Sequence, residues 1–216
     1  MRVSRHYAAA LVTGALALAL PAQGQSDPSR DALIVETILR IEGFDLSNST
    51  KAQGAVNRYL KENWGGERYL DLIKRFNLQE EAPGLLRLAL KKSETPAGAE
   101  AATLLVSLGK GALLAESLQK EDEIAAGQAA KAIAHTGDTT LMAALPKVLA
   151  NPDRPLSVRS SALAALYGKD PGSQSKLLAM VKSNELAEDL RQTASEILML
   201  SRNPEIREEA LSLIHI

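Results

Sequence analysis

From Asp31 onward the apolar positions fall into helix-sized pieces of about 10 to 15 residues, cut apart by Gly, Pro, Asn and Asp. None of the pieces alternates with the two-residue period of a strand. Helices are expected to begin near Asp31, Thr50, Glu67, Glu81, Pro96, Gly111, Asp122, Thr139, Leu156, Ser173, Leu186 and Pro204. Twelve short helices in succession predict six hairpins.

The last third of the chain carries a period. Ala129, Ala132 and Ile133 return as Ala162, Ala165 and Leu166, and Leu145 and Val148 return as Leu178 and Val181, each 33 residues later. The two helices keep their mutual register as well, since Ile133 to Leu145 and Leu166 to Leu178 are both 12 residues apart. Ala194 and Leu198 repeat the first helix again at a spacing of 32. Alanine at a helix contact lets backbones approach, while Leu, Ile and Val fill the space between two layers. One hairpin cannot bury its apolar face alone, so several must stack. The expected fold is all-α, an α-solenoid of about six stacked antiparallel helix pairs. Its hairpins are expected to be irregular over residues 25–92 and regular over residues 93–210.

VRSSALAALYG from Val158, followed by SKLLAMV from Ser175, resembles a HEAT-type repeat. Asp153 and Arg159 lie near the turn positions where that family carries Asp, Val or Arg, and Pro155 interrupts the usual spacing. The runs FNLQEEAPGLLRLALK, AGAEAATLL and NPEIREEA extend a second resemblance across Asp31 to Ala210. They look like the helical region of large secreted bacterial proteins in which HEAT-like repeats precede a c-type cytochrome module, with a propeller-like dehydrogenase domain upstream in some. That resemblance implies a helical part of a longer redox-associated protein. It transfers no redox residue, because the CxxCH of the cytochrome module does not occur here.

Composition agrees with helices: aromatics are only 3% of the chain, and Ala and Leu dominate, which suits close-packed helices better than a β-sandwich. The first residues stand outside the pattern. Arg2 and Arg5 precede an apolar run from Ala8 to Leu20, and Ala22-Gln23-Gly24 offers small residues where a signal peptidase reads. Residues 1–24 are expected to be a signal peptide, cleaved after Gly24 or else after Ala22. The apolar run is too short to cross a hydrocarbon core of roughly 30 Å as a helix. An exported protein, periplasmic or extracellular and without stable membrane insertion, is the expectation. Cysteine is absent, which excludes disulfides, thiolate metal sites, a cysteine nucleophile, covalent haem attachment and a lipoprotein anchor.

Charge narrows the partners. The formal charge of −1 becomes −3 once the two leader arginines are removed, so nucleic acid is not an expected partner. The distribution is uneven: Lys51 to Lys92 holds nine basic and five acidic residues, against twelve and sixteen from Ser93 to Ala210. The basic stretch coincides with most of the aromatics, Phe44, Tyr59, Trp64, Tyr69 and Phe76. Arg58, Lys61, Trp64, Arg68 and Tyr69 are therefore the candidate partner-binding residues. The competing reading makes the aromatics the core of irregular hairpins, with Trp64 covering the Gly65-Gly66 turn.

No catalytic, cofactor-binding or metal-ligating residue is expected. Ser173 and Lys176 match the S-x-x-K spacing of Ser-Lys acyl enzymes, but Asp170-Pro171-Gly172-Ser173 reads better as a turn opening a helix. His135 with Asp138, beside Gly137, reads as a carbonyl cap at a helix end. Glu121-Asp122-Glu123 reads as three acids favouring the positive end of a helix dipole, and Gly109-Lys110-Gly111 as a turn. Asn48-Ser49-Thr50 fits a glycosylation pattern that a bacterial exported protein leaves silent.

The chain runs out in LSLIHI, Leu211 to Ile216, where a repeat array needs a polar cap. One reading frame of a transposon end used in DNA library preparation translates to those residues, so 211–216 are expected to be foreign to the native protein. The expected function is a non-catalytic scaffold or protein-binding module whose partner is another protein or a covalently linked downstream domain. A hydrolase-type enzyme with a site on a concave face is the rival.

Overall fold

The computed structural model describes residues 28–214, and the expected signal peptide lies outside the described residues. All regular structure among them is helical. The α-helices are α1 (Pro28–Arg40), α2 (Thr50–Glu62), α3 (Glu67–Phe76), α4 (Ala82–Lys91), α5 (Pro96–Ser107), α6 (Ala112–Leu118), α7 (Glu123–Thr136), α8 (Thr139–Met142), α9 (Leu145–Ala150), α10 (Leu156–Tyr167), α11 (Pro171–Lys182), α12 (Arg191–Met199) and α13 (Pro204–Ile214). Short 3₁₀ turns at Leu46–Asn48, Gln79–Glu81 and Glu188–Leu190 precede α2, α4 and α12.

Six of the expected starts, at Thr50, Glu67, Pro96, Thr139, Leu156 and Pro204, coincide with the first residues of helices, and the stretch from Thr139 is broken after one turn. The break between α8 and α9 has a local cause in Pro146, which lacks an N–H and whose ring crowds the carbonyl four residues back, that of Met142. A helix expected from Leu186 begins only at Arg191. Leu186 is buried instead, packing in a turn after the left-handed Asn184.

Side chains fix the helix starts. Ser49, Thr95, Asp122, Asp138 and Asp170 each accept a hydrogen bond from a backbone N–H in the first turn they precede. Asp138, Asp170 and Asn203 stand 32 and 33 residues apart and do the same work, accepting from Leu141, Ser173 and Glu205 at 2.8, 2.9 and 2.9 Å. The helix ends are closed by cations from about 35 residues further on. Arg75 donates to the carbonyls of Leu39, at 2.6 Å, and Ile41 at the end of α1. Arg154 donates to that of Leu118, at 2.7 Å, ending α6. Lys169 donates to that of Ala134, at 2.6 Å, in the last turn of α7. Each brings positive charge to the negative end of a helix dipole.

Packing follows the small residues. α7 presents buried Ala126, Ala129, Ala130 and Ala132, and α10 answers with Val158, Ala162 and Ala165. Both helices lie in one apolar cluster that runs without interruption from Val35 to Ala165. A second cluster gathers Leu177, Leu178, Leu186, Leu190, Ala194, Ile197, Leu198, Ile206 and Ala210, and α10 joins it through Leu163. One helix thus serves two neighbours, turning Ala162 one way and Leu163 the other. The expected apolar positions of the 33-residue period are all buried or packed against one of the clusters.

Helix neighbours follow the same order. α3, α5, α7, α10 and α12 touch in succession, while α4, α6, α9, α11 and α13 pack against them, with α11 also touching α13. No single described helix is long and apolar enough to cross a membrane.

Candidate functional site

The five candidate partner-binding residues do not share one surface. Arg58, in α2, donates from Nε and Nη2 to both carboxylate oxygens of Asp31 at 2.7 and 2.8 Å, which ties α2 to α1. Asp31 is almost fully buried, and the Arg58 hydrogen bonds hold its carboxyl below the usual carboxylate range against the opposing effect of burial. Arg68 pairs with Glu36 at 3.0 Å and Asp71 at 3.4 Å, on an exposed surface where such pairs stabilise little.

Tyr69 corrects the expectation most clearly. Its side chain is fully buried, so it belongs to the core and offers nothing to a partner. Its hydroxyl donates to Oε2 of Glu81 at 3.0 Å. Burial first, then that carboxylate, push the phenol far above its ordinary value. A tyrosine so placed stays neutral and acts as a fixed donor. Gly84 makes room for it, because a Cβ there would overlap the Tyr69 hydroxyl.

Lys61 and Trp64 do share a cleft. Trp64 follows α2, and its indole N–H donates to the carbonyl of Gly84 in α4 at 3.3 Å, so the ring reaches across to α4. The guanidinium of Arg87 lies 4.2 Å from the ring centroid and the Lys91 ammonium 6.0 Å away. Lys61, Trp64, Glu80, Glu81 and Arg87 line a cavity of about 380 Å³. Its walls carry both signs of charge around one aromatic face, an arrangement suited to polar peptide groups and to side chains of either charge. It holds no nucleophile paired with a base.

A larger cavity of about 610 Å³ lies beside it, lined by Phe44, Leu46, Gln53, Asn57, Arg75 and Phe76, with Glu80 bordering both. Phe44 and Phe76 meet edge to face at 6.3 Å. Arg75, held by the carbonyls that end α1, also lies over the Phe76 ring at 5.7 Å. The aromatics therefore form two separate groups. Arg75 and Arg87, which complete them, carried no signal in the sequence beyond general basicity.

The motifs weighed for chemistry resolve as structural parts. Asp170 caps α11 through the Ser173 N–H at 2.9 Å, and the Ser173 side chain first, then that backbone bond, hold its carboxyl below the usual range. Among the described residues no hydrogen bond joins Ser173 to Lys176. Asp122 caps α7, and Glu123 accepts from the Ser157 hydroxyl at 2.6 Å. Gly109 and Gly111 flank a turn closed by a 2.8 Å bond from Lys110 N–H to the Leu105 carbonyl. Asn48 donates to Asp45 at 2.8 Å. The described residues contain no group of three or more His, Asp or Glu arranged to hold a metal ion.

His135 bonds to the backbone of Ser93 and not to a carbonyl at the end of its own helix. Its Nδ1 lies 3.1 Å from Nζ of Lys169, and it is Lys169, not the imidazole, that takes the helix-end carbonyl. Asp138 caps the next helix and does not pair with His135. Burial, then the nearby ammonium, hold the imidazole pKa below its ordinary value. Comparison with protein families, with characterised proteins and with solved structures yields no match.

Proposed function

We propose that this chain is an exported, HEAT-like α-solenoid module that works as a non-catalytic scaffold or protein-binding element of a longer redox-associated protein. The observation that carries the reading is a set of bonds between helices whose partners lie about one repeat length apart. Ser157 to Glu123, Ser160 to Thr193, Lys169 to Ala134, Arg75 to Leu39, Arg154 to Leu118 and Lys131 to Glu94 are linked across 33 to 37 residues. Bonds that reach about one period of the apolar pattern away support a stack of similar units, because in such a stack each unit meets only its neighbours. The polar caps at Asp138, Asp170 and Asn203 support the same register. Export rests on the leader pattern of residues 1–24, and the redox context on the likeness of the helical runs to the region preceding a cytochrome module.

Within that reading the cleft of Lys61, Trp64 and Arg87 is the protein-contact site, and Tyr69 sits beneath it as support. Sequencing source DNA on both sides of the Ala210 codon tests the assignment to a longer protein. A reading frame that continues into a CxxCH-bearing segment upholds it. A genuine stop codon after Ile216 overturns it and leaves a self-contained binding module.

A further inference from the structure

Two arginines among the described residues lie over aromatic rings, and only one of them has its donors occupied. Arg75 stands 5.7 Å from the Phe76 centroid and donates to the carbonyls of Leu39 and Ile41. Arg87 stands closer, 4.2 Å from the Trp64 centroid, and among the described residues its guanidinium donates to no acceptor and joins no ion pair. The Trp64 ring is itself fixed by its indole N–H, which donates to the Gly84 carbonyl at 3.3 Å. A guanidinium steadied by an aromatic ring, with its N–H donors free, is prepared to fork a carboxylate and loses little side-chain freedom in doing so.

The charges around the ring are unbalanced in the same sense. Lys91 follows Arg87 by four residues, one turn further along α4, with its ammonium 6.0 Å from the Trp64 centroid. Lys61 lines the cleft from the last turn of α2. Neither lysine forms an ion pair among the described residues. Two carboxylates, Glu80 and Glu81, border the cleft, and Glu81 already accepts from the Tyr69 hydroxyl. Three cations therefore surround the ring against one uncommitted carboxylate, Glu80, which pairs with none of them.

On the reading of this cleft as the protein-contact site, we propose that what enters it is an acidic segment of a partner protein, with one carboxylate forked by Arg87 and a second met by Lys91. Residues four apart on a helix are separated by about 6 Å along its axis. An extended chain covers about that distance in two residues, and alternate side chains point the same way. Asp or Glu at every second position of an extended segment thus matches the two α4 cations. Lys61 faces the same segment from α2, and Glu80 opposes it.

The probe is a synthetic peptide of alternating glutamate and serine, titrated onto the full chain. Emission of Trp64, the chain's one tryptophan, and calorimetry give two independent readings. Saturable binding is expected, weakened about tenfold by Arg87→Gln, weakened less by Lys91→Gln and tightened by Glu80→Gln. Lys147→Gln, an equal change of charge on the exposed surface of α9, should leave it unchanged. A loss there as large as the loss at Arg87 reduces the binding to general attraction and overturns the proposal. Pyrophosphate bound as tightly as the peptide makes the cleft a simple anion site and overturns it too. Self-association of the unmodified chain that Arg87→Gln abolishes makes a second copy the occupant and overturns the separate partner. Failure of the underlying reading has its own sign. A peptide of alternating glutamine and serine that binds as tightly and shifts Trp64 equally keeps the cleft as a protein contact and overturns only the acidic partner. If neither peptide shifts Trp64 or releases heat, both the partner and the contact site fall.

Discussion

Lys169 holds its ammonium 3.1 Å from Nδ1 of His135, one helix end away in space and 34 residues away in sequence. A neutral imidazole that carries its proton on Nε2 can accept from the ammonium at Nδ1. Burial and the ammonium both hold its folded-state pKa below the usual 6.5. Below about 6.5 the unfolded chain therefore takes up a proton that the folded chain refuses, and stability falls with pH until the folded pKa is passed. His135→Gln removes the titration. Urea midpoints measured from pH 7.5 down to pH 5 should drop for the wild type and flatten in this interval for the variant. A variant with an undiminished slope would assign the acid lability to other groups.

Gly98 is pressed against the chain where α4 gives way to α5. A Cβ at that position would overlap the carbonyl of Lys92, which is backbone and has no rotamer to escape into. Gly98→Ala is expected to cost about 3 kcal/mol, the upper part of the range for overpacking. Gly137→Ala, where the glycine ends α7 at φ +67° and nothing crowds the added carbon, isolates the cost of a left-handed backbone, about 1 kcal/mol. Thermal melts of the two variants should rank in that order. The reverse ranking contradicts the close approach of α5 to Lys92.

Much of the fold was legible because helix starts are written locally. Asp, Ser or Thr ahead of an apolar run marks Thr50, Pro96 and Thr139 without knowledge of any neighbour. The spacing was legible because Ala129 and Ala162, and Leu145 and Leu178, are apolar residues 33 positions apart, and all four are buried. The candidate site was less so. Tyr69 and Trp64 look alike in the sequence, both aromatic and both within a few residues of a basic side chain, yet Tyr69 is buried against α4 by the space Gly84 leaves, a fact fixed only when two helices meet. Arg154 and Lys169 escaped notice for the same reason: a lysine that caps a carbonyl 35 residues back has no local mark.

Arg159 is the buried charge on which α10, α9 and the turn before α12 converge. Its side chain is 7% exposed while Asp189 is 44% exposed, so the two partners are not equivalent. Asp189→Asn leaves a buried guanidinium with a neutral partner and should cost about 2 kcal/mol. Arg159→Met exchanges the charge for apolar volume in the same space, and the released Asp189 can turn to water, so the loss should be smaller, about 1 kcal/mol. Chemical denaturation of both variants and of the double variant checks the pair. Strictly additive losses would show that Arg159 and Asp189 do not interact.

Trp64 is the chain's one tryptophan, which makes the cleft beside it directly observable. Arg87 covers its ring at 4.2 Å from a partly exposed position, a contact worth about 0.5–1 kcal/mol at such sites. Arg87→Ala should therefore lower stability by no more than that while changing the intensity and wavelength of Trp64 emission. Tyr69→Phe should behave in the opposite way. It leaves the Glu81 carboxylate without its buried donor, which costs about 1–3 kcal/mol, and keeps the ring volume beneath the cleft. If the cleft is the protein-contact site, Lys61→Ala and Arg87→Ala should weaken a captured partner with the melting temperature nearly unchanged. Tyr69→Phe should weaken it only as far as the fold itself loosens. Equal effects of all three variants on stability would erase the distinction between the surface of the cleft and its support.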